Sequence, residues 1–209
     1  MACVKSYPPE SKKELRQILK AVDNINPIVA GMLEVSTLTG LRYSDASQLT
    51  VNDMFINGQV RDNTTVIQQK PYNKRLSSGM TEARARELSK VEVFINPQCA
   101  EVLADVVHIN HIDLKKGKTL LFHSSVNKDK PFTAQYVNKI LKSVAFDLQL
   151  KYPLSTHSFR KMFAMLIVKN NASVHQVRDA LGQSTLAATD HYLRTFMSET
   201  KGFTEKIKF

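Results

Sequence analysis

Long apolar runs and paired cysteines are both missing from this chain. None of its 209 residues belongs to an uninterrupted apolar stretch approaching the roughly 18 residues of a membrane-spanning helix. The first residues, MACVKSYPPESKKELRQ, lack the apolar core of a secretory signal. The two cysteines, Cys3 and Cys99, have no paired spacing. These absences argue against membrane and disulfide-rich secreted proteins, so we expect a cytoplasmic protein with no membrane partner.

Positive charge is the most informative bulk property. Lys and Arg total 29 against 19 Asp and Glu, which gives a net charge of +10. Residues 61–90 hold seven basic and three acidic residues. Such a balance suits a polyanionic partner, and nucleic acid is the usual one. His108 and His111 lie three apart, but with Cys99 they offer no fourth ligand at zinc-like spacing, so we predict no metal and no cofactor.

The order of local signals predicts a mainly α protein with a small three-stranded antiparallel β-sheet (α+β). Strands are expected at Thr64–Gln68 and Val91–Ile95, which alternate or are β-branched, and Asn57-Gly58 is a tight-turn signal. The stretch between the two strands, Pro71 to Lys90, is long and polar. Helix N-caps are predicted at Ser11, Asn26, Asn96, Thr133, Thr156 and Ser173.

Three segments carry residue types that suit phosphate chemistry. They are Thr39-Gly-Leu-Arg42-Tyr-Ser-Asp45, Thr156-His157-Ser-Phe-Arg160-Lys161, and Leu181-Gly-Gln183-Ser-Thr-Leu-Ala-Ala-Thr-Asp-His-Tyr192. The first resembles the TGLRxSE/D box of the tyrosine recombinases (phage integrases), the second their HxxRH segment, and the third their LGHxxxxTTxxY segment. The order matches, and Gln183 precedes Tyr192 by nine positions, as in the family. The resemblance implies the tyrosine recombinase catalytic-domain fold and a double-stranded DNA partner.

Elementary chemistry is consistent with this resemblance. Attack on a phosphodiester needs positive charge at the non-bridging oxygens, a nucleophile and a proton donor. Arg42 and Arg160 have planar guanidinium groups that bind phosphate bidentately. Tyr192 is the expected nucleophile, and its phenol, with a pKa near ~10 in water, needs a positive cluster or a base, for which His157 is the candidate. The family implies a covalent 3′-phosphotyrosine, so strands are exchanged and resealed without metal or ATP.

A lysine is expected to protonate the leaving 5′-oxygen, because the family carries its general acid on a β-hairpin turn. Gln68-Gln-Lys70-Pro-Tyr-Asn-Lys74-Arg resembles that turn, which favours Lys70, with Lys74 as the fallback and Lys90 left open. We expect Lys74, Arg75 and Lys161 to contact DNA. Lys161 stands where the family often has histidine.

The main departure from the family pattern is Gln183, where histidine or tryptophan is expected. Glutamine donates a hydrogen bond to phosphate but carries no charge. A non-catalytic DNA-binding protein on the same scaffold is therefore the chief alternative. Type IB topoisomerase activity would share the covalent chemistry. A metal-dependent nuclease or RNA-processing enzyme is a further alternative, motivated by the charge and the six histidines.

The expected domain organisation is a flexible lead-in at residues 1–10, a catalytic domain at 11–196, and a C-terminal helix or tail at 197–209. This last segment is expected to dock on its own domain or on a neighbour, within an oligomer on paired DNA sites. Since family members carry an N-terminal DNA-clamp domain, we expect either an excised fragment or a naturally short recombinase. The protein would lie in the cytoplasm, either associated with the nucleoid or encoded by a phage or mobile element in a bacterial host.

Overall fold

A computed structural model describes residues 6–124 and 126–194, without the side chains of His191 and Tyr192. The helices in this part of the chain are α1 (Lys12–Asp23), α2 (Pro27–Thr39), α3 (Tyr43–Ala46), α4 (Val51–Met54), α5 (Gln69–Ser77), α6 (Glu82–Glu87), α7 (Pro97–Ile109), α8 (Ala134–Asp147), α9 (Thr156–Lys169), α10 (Val174–Ala180) and α11 (Leu186–Leu193). The strands are β1 (Phe55–Ile56), β2 (Gln59–Val60), β3 (Asn63–Ile67) and β4 (Lys90–Phe94). None of the described helices is long and apolar enough to cross a membrane.

Most helix starts lie where the capping residues predict them. The side chains of Ser11, Asn26, Asn96, Thr133 and Ser173 each accept a hydrogen bond from a backbone N–H in the first helical turn. One predicted cap is displaced by a residue: Ser155 caps α9, and its Oγ accepts from the backbone N–H of His157. Thr156 is already the first helical residue, and its own N–H donates to Asn138 Oδ1 at 3.1 Å.

The predicted class, mainly helical with small antiparallel sheets, is confirmed, but the strands are arranged differently. The described residues form two two-stranded sheets, β1 with β2 and β3 with β4, rather than one sheet of three strands. The predicted pairing of the two longer strands is confirmed, with Val66 opposite Val91. Asn57 and Gly58 join β1 to β2 and have φ of 52° and 79°, as a tight two-residue turn requires.

The polar segment between β3 and β4 contains α5 and α6, which were not predicted. Neither helix has a substantial apolar face: α5 buries no residue and α6 buries only Ala85. Pro71 lies in the first turn of α5, where its missing N–H costs no intrahelical hydrogen bond. Lys70 is therefore on a helix rather than on the hairpin turn that the resemblance implied.

The main core surrounds α2, which packs against α1, α7 and α9. Its buried apolar side chains include Val29, Met32, Leu33 and Val35. A separate, smaller cluster joins α9, α10 and α11 through Ala164, Val177, Leu181 and Leu193. This second cluster fixes the helix that carries Tyr192 to the helix that carries His157 and Arg160.

The two ends of the chain differ in what the structure describes. Within residues 6–10 of the expected lead-in, Pro8 and Pro9 are buried, and the backbone N–H of Tyr7 donates to the carbonyl of Pro153 at 3.4 Å. The expected C-terminal helix at 197–209 lies outside the described residues.

Candidate active site

Arg42 lies at the junction between α2 and α3, shortly after the left-handed Gly40. Gly40 ends α2 with φ of 70°, and a Cβ at this position would lie 2.5 Å from the ring of Phe163. Only glycine combines that φ with that close approach. Two residues later, Arg42 is the N-cap of α3. Its half-buried guanidinium donates from Nη1 to Gln68 Oε1 and lies 3.9 Å from Asp45 Oδ2.

Asp45 is a buried carboxylate behind the arginines. It is 3% exposed, and its Oδ1 accepts from the backbone N–H of Gln69 at 2.9 Å. Burial raises the pKa of Asp45, while the Gln69 N–H and the positive charges of Arg42 and Arg160 oppose that rise. The carboxylate therefore links the arginine of the first motif to the start of α5.

Arg160 is the most deeply held cation of the site. It is 2% exposed, and its guanidinium donates from Nη1 to the carbonyl of Gly40 and from Nη2 to the carbonyl of Leu181 at 2.7 Å. One backbone acceptor comes from the first motif and the other from the third. The structure thus brings all three sequence motifs together at Arg160. A planar guanidinium can do this because it donates charge-assisted hydrogen bonds in two directions at once.

His157 lies in the first turn of α9, one turn before Arg160, and its side chain reaches the surface. Partial desolvation lowers the pKa of His157, and the positive charges of Lys70, Arg160, Lys161 and Arg42 lower it further. The neutral imidazole is consequently the main form at neutral pH. A neutral ring offers an acceptor nitrogen, as a base or hydrogen-bond partner requires.

The candidate lysines differ in their surroundings. Lys70 is exposed near the start of α5, and its charge acts on His157. Lys74 is exposed one turn further along the same helix. Lys90 forms an ion pair with Glu87 at 2.5 Å. Among the three, Lys70 is the one whose charge contributes to the lowered pKa of His157.

Two predicted DNA contacts make internal hydrogen bonds instead of pointing freely outward. Arg75 Nη1 donates to Ser89 Oγ at 2.8 Å. Lys161 is buried, and its Nζ donates to the carbonyl of Ser6 at 2.6 Å. These bonds tie α5 to the start of β4 and the N-terminal segment to α9. Contact between DNA and the buried Lys161 therefore requires this side chain to leave its present position, whereas Arg75 has further N–H donors.

Gln183 and Tyr192 belong to the third motif. Gln183 is half-buried, and its Oε1 accepts from Thr189 Oγ1 at 2.6 Å, which leaves the amide nitrogen as its donor group. Thr189 is fully buried on α11, so this bond joins the Gln183 loop to the helix of Tyr192. The backbone of Tyr192 lies in α11, and its side chain lies outside the part of the chain that the structure describes.

Two other tyrosines near the motifs are poor nucleophiles. Tyr43 directly follows Arg42, but its hydroxyl donates to the carbonyl of Phe132, and burial raises its pKa to about 12. Tyr152 precedes the second motif, and its hydroxyl donates to Glu14 Oε2 at 2.7 Å. Burial and the Glu14 carboxylate both raise the pKa of Tyr152. Each phenol is occupied and harder to ionise than a free one.

The sequence alone did not single out several groups that hold the site together. These are Gln68, Asp45, the carbonyls of Gly40 and Leu181, and Thr189. Asp45 belongs to the first motif, so its proximity to Arg42 was open to inference from the i, i+3 spacing. The sequence signal for Gln68 was weak, because it is a polar residue that follows a strand already containing Asn and Thr.

Comparison with known proteins identifies the family of the chain. The family model described as "Phage integrase family" matches residues 11–199. The tyrosine recombinase XerC of Bacillus subtilis (strain 168) is 27% identical over 187 residues, an alignment that covers 87% of this chain and 55% of XerC. The chain thus spans about half the length of the curated relatives that it matches.

Solved structures share the fold at lower identity. The crystal structure of XerA recombinase superposes with a TM-score of 0.70 at 15% identity, covering 100% of this chain and 68% of that one. A post-cleavage complex of the XerH site-specific recombinase bound to palindromic difH substrate gives 0.65 at 19% identity, covering 96% and 52%. The family match spans nearly the whole chain and the fold is common to these structures, so the chain belongs to the phage integrase family of tyrosine recombinases.

Proposed function

We propose that this chain is the catalytic domain of a site-specific recombinase that cuts and rejoins double-stranded DNA through a 3′-phosphotyrosine at Tyr192, without metal or ATP. The observation that carries the proposal is the convergence of two arginines from distant motifs. Arg42 and Arg160 both reach the carbonyl of Leu181, one through Gln68 and the other directly. Two clustered guanidinium groups stabilise the negative charge that develops on a phosphate under attack.

Each remaining polar residue has a role that its surroundings support. Neutral His157 accepts the proton of Tyr192 or orients its hydroxyl, because positive neighbours disfavour the imidazolium. The phenolate oxygen then bonds to phosphorus while the bond from phosphorus to the 5′-oxygen breaks. Lys70 donates a proton to that leaving oxygen, and Gln183 donates a hydrogen bond to the phosphate. Rejoining is the reverse reaction, so the energy of the broken bond is kept in the phosphotyrosine link.

The DNA partner and the assembly are proposed by analogy with relatives. The matched XerH structure is a complex with palindromic difH substrate, and the family description names phage integrases. We extend this to an oligomer on paired DNA sites, with the segment after residue 196 docking on its own domain or on a neighbour. We also propose a cytoplasmic protein that is either associated with the nucleoid or encoded by a phage or mobile element in a bacterial host, since some of the relatives are bacterial and one is from a phage.

A nicked suicide substrate tests the proposal. After cleavage the short fragment diffuses away, so the enzyme stays attached to DNA and resists denaturation. We expect this adduct with the wild-type protein, in the presence of EDTA and without ATP, and not with Tyr192→Phe. Tyr136→Phe is a matched control, because Tyr136 is an exposed tyrosine on α8 and should be dispensable. Adduct formation by Tyr192→Phe, or a dependence on divalent metal, would contradict the proposal.

The same substrate separates the alternatives that Gln183 and the covalent chemistry raise. A binding module would shift the DNA in a gel without forming any adduct. A type IB topoisomerase would form the adduct but relax supercoiled DNA without paired sites. We expect adduct formation, with productive strand exchange only on DNA that carries two sites.

A further inference from the structure

Gln68 is a buried amide at the point where β3 ends and α5 begins. It is 1% exposed. Its backbone N–H donates to the carbonyl of Ser89 at 2.9 Å, and its own carbonyl accepts from the N–H of Tyr72 at 3.1 Å. Burial of an amide side chain is costly unless its donors and acceptors are satisfied. The partners of the Gln68 side chain therefore show what this position holds in place.

Those partners belong to the first and third motifs. Oε1 accepts from Arg42 Nη1, and Nε2 donates to the carbonyl of Leu181 at 3.0 Å. The same carbonyl accepts from Arg160 Nη2 at 2.7 Å. One side chain and one backbone carbonyl thus form a bridge between two guanidinium groups. The orientation of the amide is fixed, because its oxygen must face an arginine and its nitrogen a carbonyl.

The loop of the third motif is shaped to admit this side chain. Gly182 has φ of 56°, and a Cβ on it would lie 2.8 Å from Gln68 Nε2 and 3.1 Å from Val91 Cγ2. A larger residue would therefore push Leu181 and its carbonyl away from the amide. The glycine before Gln183 allows the close approach on which the bridge depends.

Gln68 also immediately precedes α5, the helix that bears the candidate general acid. It is the N-cap residue of α5, and Lys70 follows two positions later. The next residue, Gln69, donates its backbone N–H to Asp45 Oδ1 at 2.9 Å. A shift of Gln68 would consequently move both arginines and the helix start that bears Lys70.

We propose that Gln68 is a positioning residue that sets the separation of Arg42 and Arg160 around one phosphate. This inference rests on the proposed function, since the phosphate is the scissile group of DNA. Gln68 does not touch the reacting atoms and acts through the arginines. A displacement of about 1 Å among such groups costs roughly 100-fold in rate while leaving DNA binding nearly intact.

A pair of neighbouring glutamines provides the variant and its control. Gln68→Leu removes both hydrogen bonds, whereas Gln69→Leu changes an exposed side chain and keeps the backbone bond to Asp45. Under single-turnover conditions we expect about a 100-fold slower formation of the covalent adduct by Gln68→Leu, with DNA affinity within about twofold of wild type. Gln69→Leu should cleave at the wild-type rate. Equal rates for Gln68→Leu and wild type, or a loss of affinity that accounts for the slower rate, would overturn the inference.

Two further measurements separate positioning from folding and from the proposed function. Gln68→Glu keeps the acceptor for Arg42 but places an oxygen against the carbonyl of Leu181, so it should not restore the rate. Nuclear magnetic resonance of the arginine side chains in the free protein needs no catalysis. We expect restricted rotation of the Arg42 guanidinium in wild type and faster rotation in Gln68→Leu. Unchanged arginine spectra would reject the bridge, whereas a wild-type protein that forms no adduct would reject the proposed function alone.

Discussion

The protonation state of His157 shows how single residues depend on distant parts of the chain. Desolvation lowers the pKa of this imidazole most, and four basic side chains from three separate segments lower it further. A proton on this ring would be a further positive charge among the others, so the pKa lies below its ordinary value. The imidazole is therefore mainly neutral at neutral pH. It is protonated, and unable to act as a base, only in acid.

Removal of the exposed Lys70 charge should raise the pKa of His157. We expect the imidazole resonances of His157 to titrate below the ordinary value of about 6.5 in the wild-type protein and closer to it in Lys70→Gln. Lys169→Gln is the control. Lys169 lies on the same helix as His157 but about 18 Å further along, where salt screens its charge from the imidazole. A titration unaffected by Lys70→Gln would show that Lys70 does not face the site.

At the scale of the element, local chemistry predicts where helices begin but not which polar segments become helices. Ser11, Asn26 and Asn96 satisfy N–H groups within their own first turns, so a short window of sequence contains the whole interaction. Helices α5 and α6 lack an apolar stripe. Tertiary hydrogen bonds such as that from Arg75 to Ser89 hold them in place. The spacing of apolar residues in the sequence gives no sign of such bonds.

The same distinction applies to the candidate site. The motifs predicted Arg42, His157 and Arg160, because their residue types and spacing suit phosphate chemistry. Gln68 was missed because its partners, Arg42 and the carbonyl of Leu181, come from segments far before and far after it. Such a bridge exists only once the chain has folded.

The end of α2 offers a test of why the first motif contains glycine. Gly40→Ala would combine a left-handed φ of 70° with a Cβ 2.5 Å from the ring of Phe163. Gly79→Ala is a matched control, since Gly79 has φ of 84° and nothing within 4 Å of a Cβ. Both variants should lose roughly 1–2 kcal/mol in the free energy of unfolding from backbone strain, and Gly40→Ala should lose more. Equal losses of unfolding free energy in urea would show that the Phe163 ring moves aside without destabilising the protein.

At the scale of the whole molecule, the net charge of +10 predicts DNA binding that weakens steeply with salt. The exposed Lys74 lies one turn beyond Lys70 on α5. We expect Lys74→Gln to reduce the slope of log Kd against log salt by about one. Lys20→Gln, on a helix that carries no site residue, should leave the slope unchanged. An unchanged slope for Lys74→Gln would remove α5 from the DNA-binding surface.

The arrangement of the whole domain explains how the third motif joins the other two. The small apolar cluster of Ala164, Val177, Leu181 and Leu193 packs α10 and α11 on α9. The carbonyl of Leu181 also accepts a hydrogen bond from Arg160. Leu181 therefore contributes both to the apolar packing and to the polar contacts of the site. The helix of Tyr192 is thereby fixed to the helix that bears His157 and Arg160.

Mapping the DNA attachment in the trapped adduct tests the central claim most directly. Trypsin releases residues 179–194 as one peptide, in which Tyr192 is the only tyrosine. After nuclease treatment, we predict that mass spectrometry finds the phosphate-linked nucleotide remnant on this peptide. A remnant on a peptide that contains another tyrosine, or unmodified 179–194 peptide in every adduct molecule, would contradict the assignment of Tyr192 as the nucleophile.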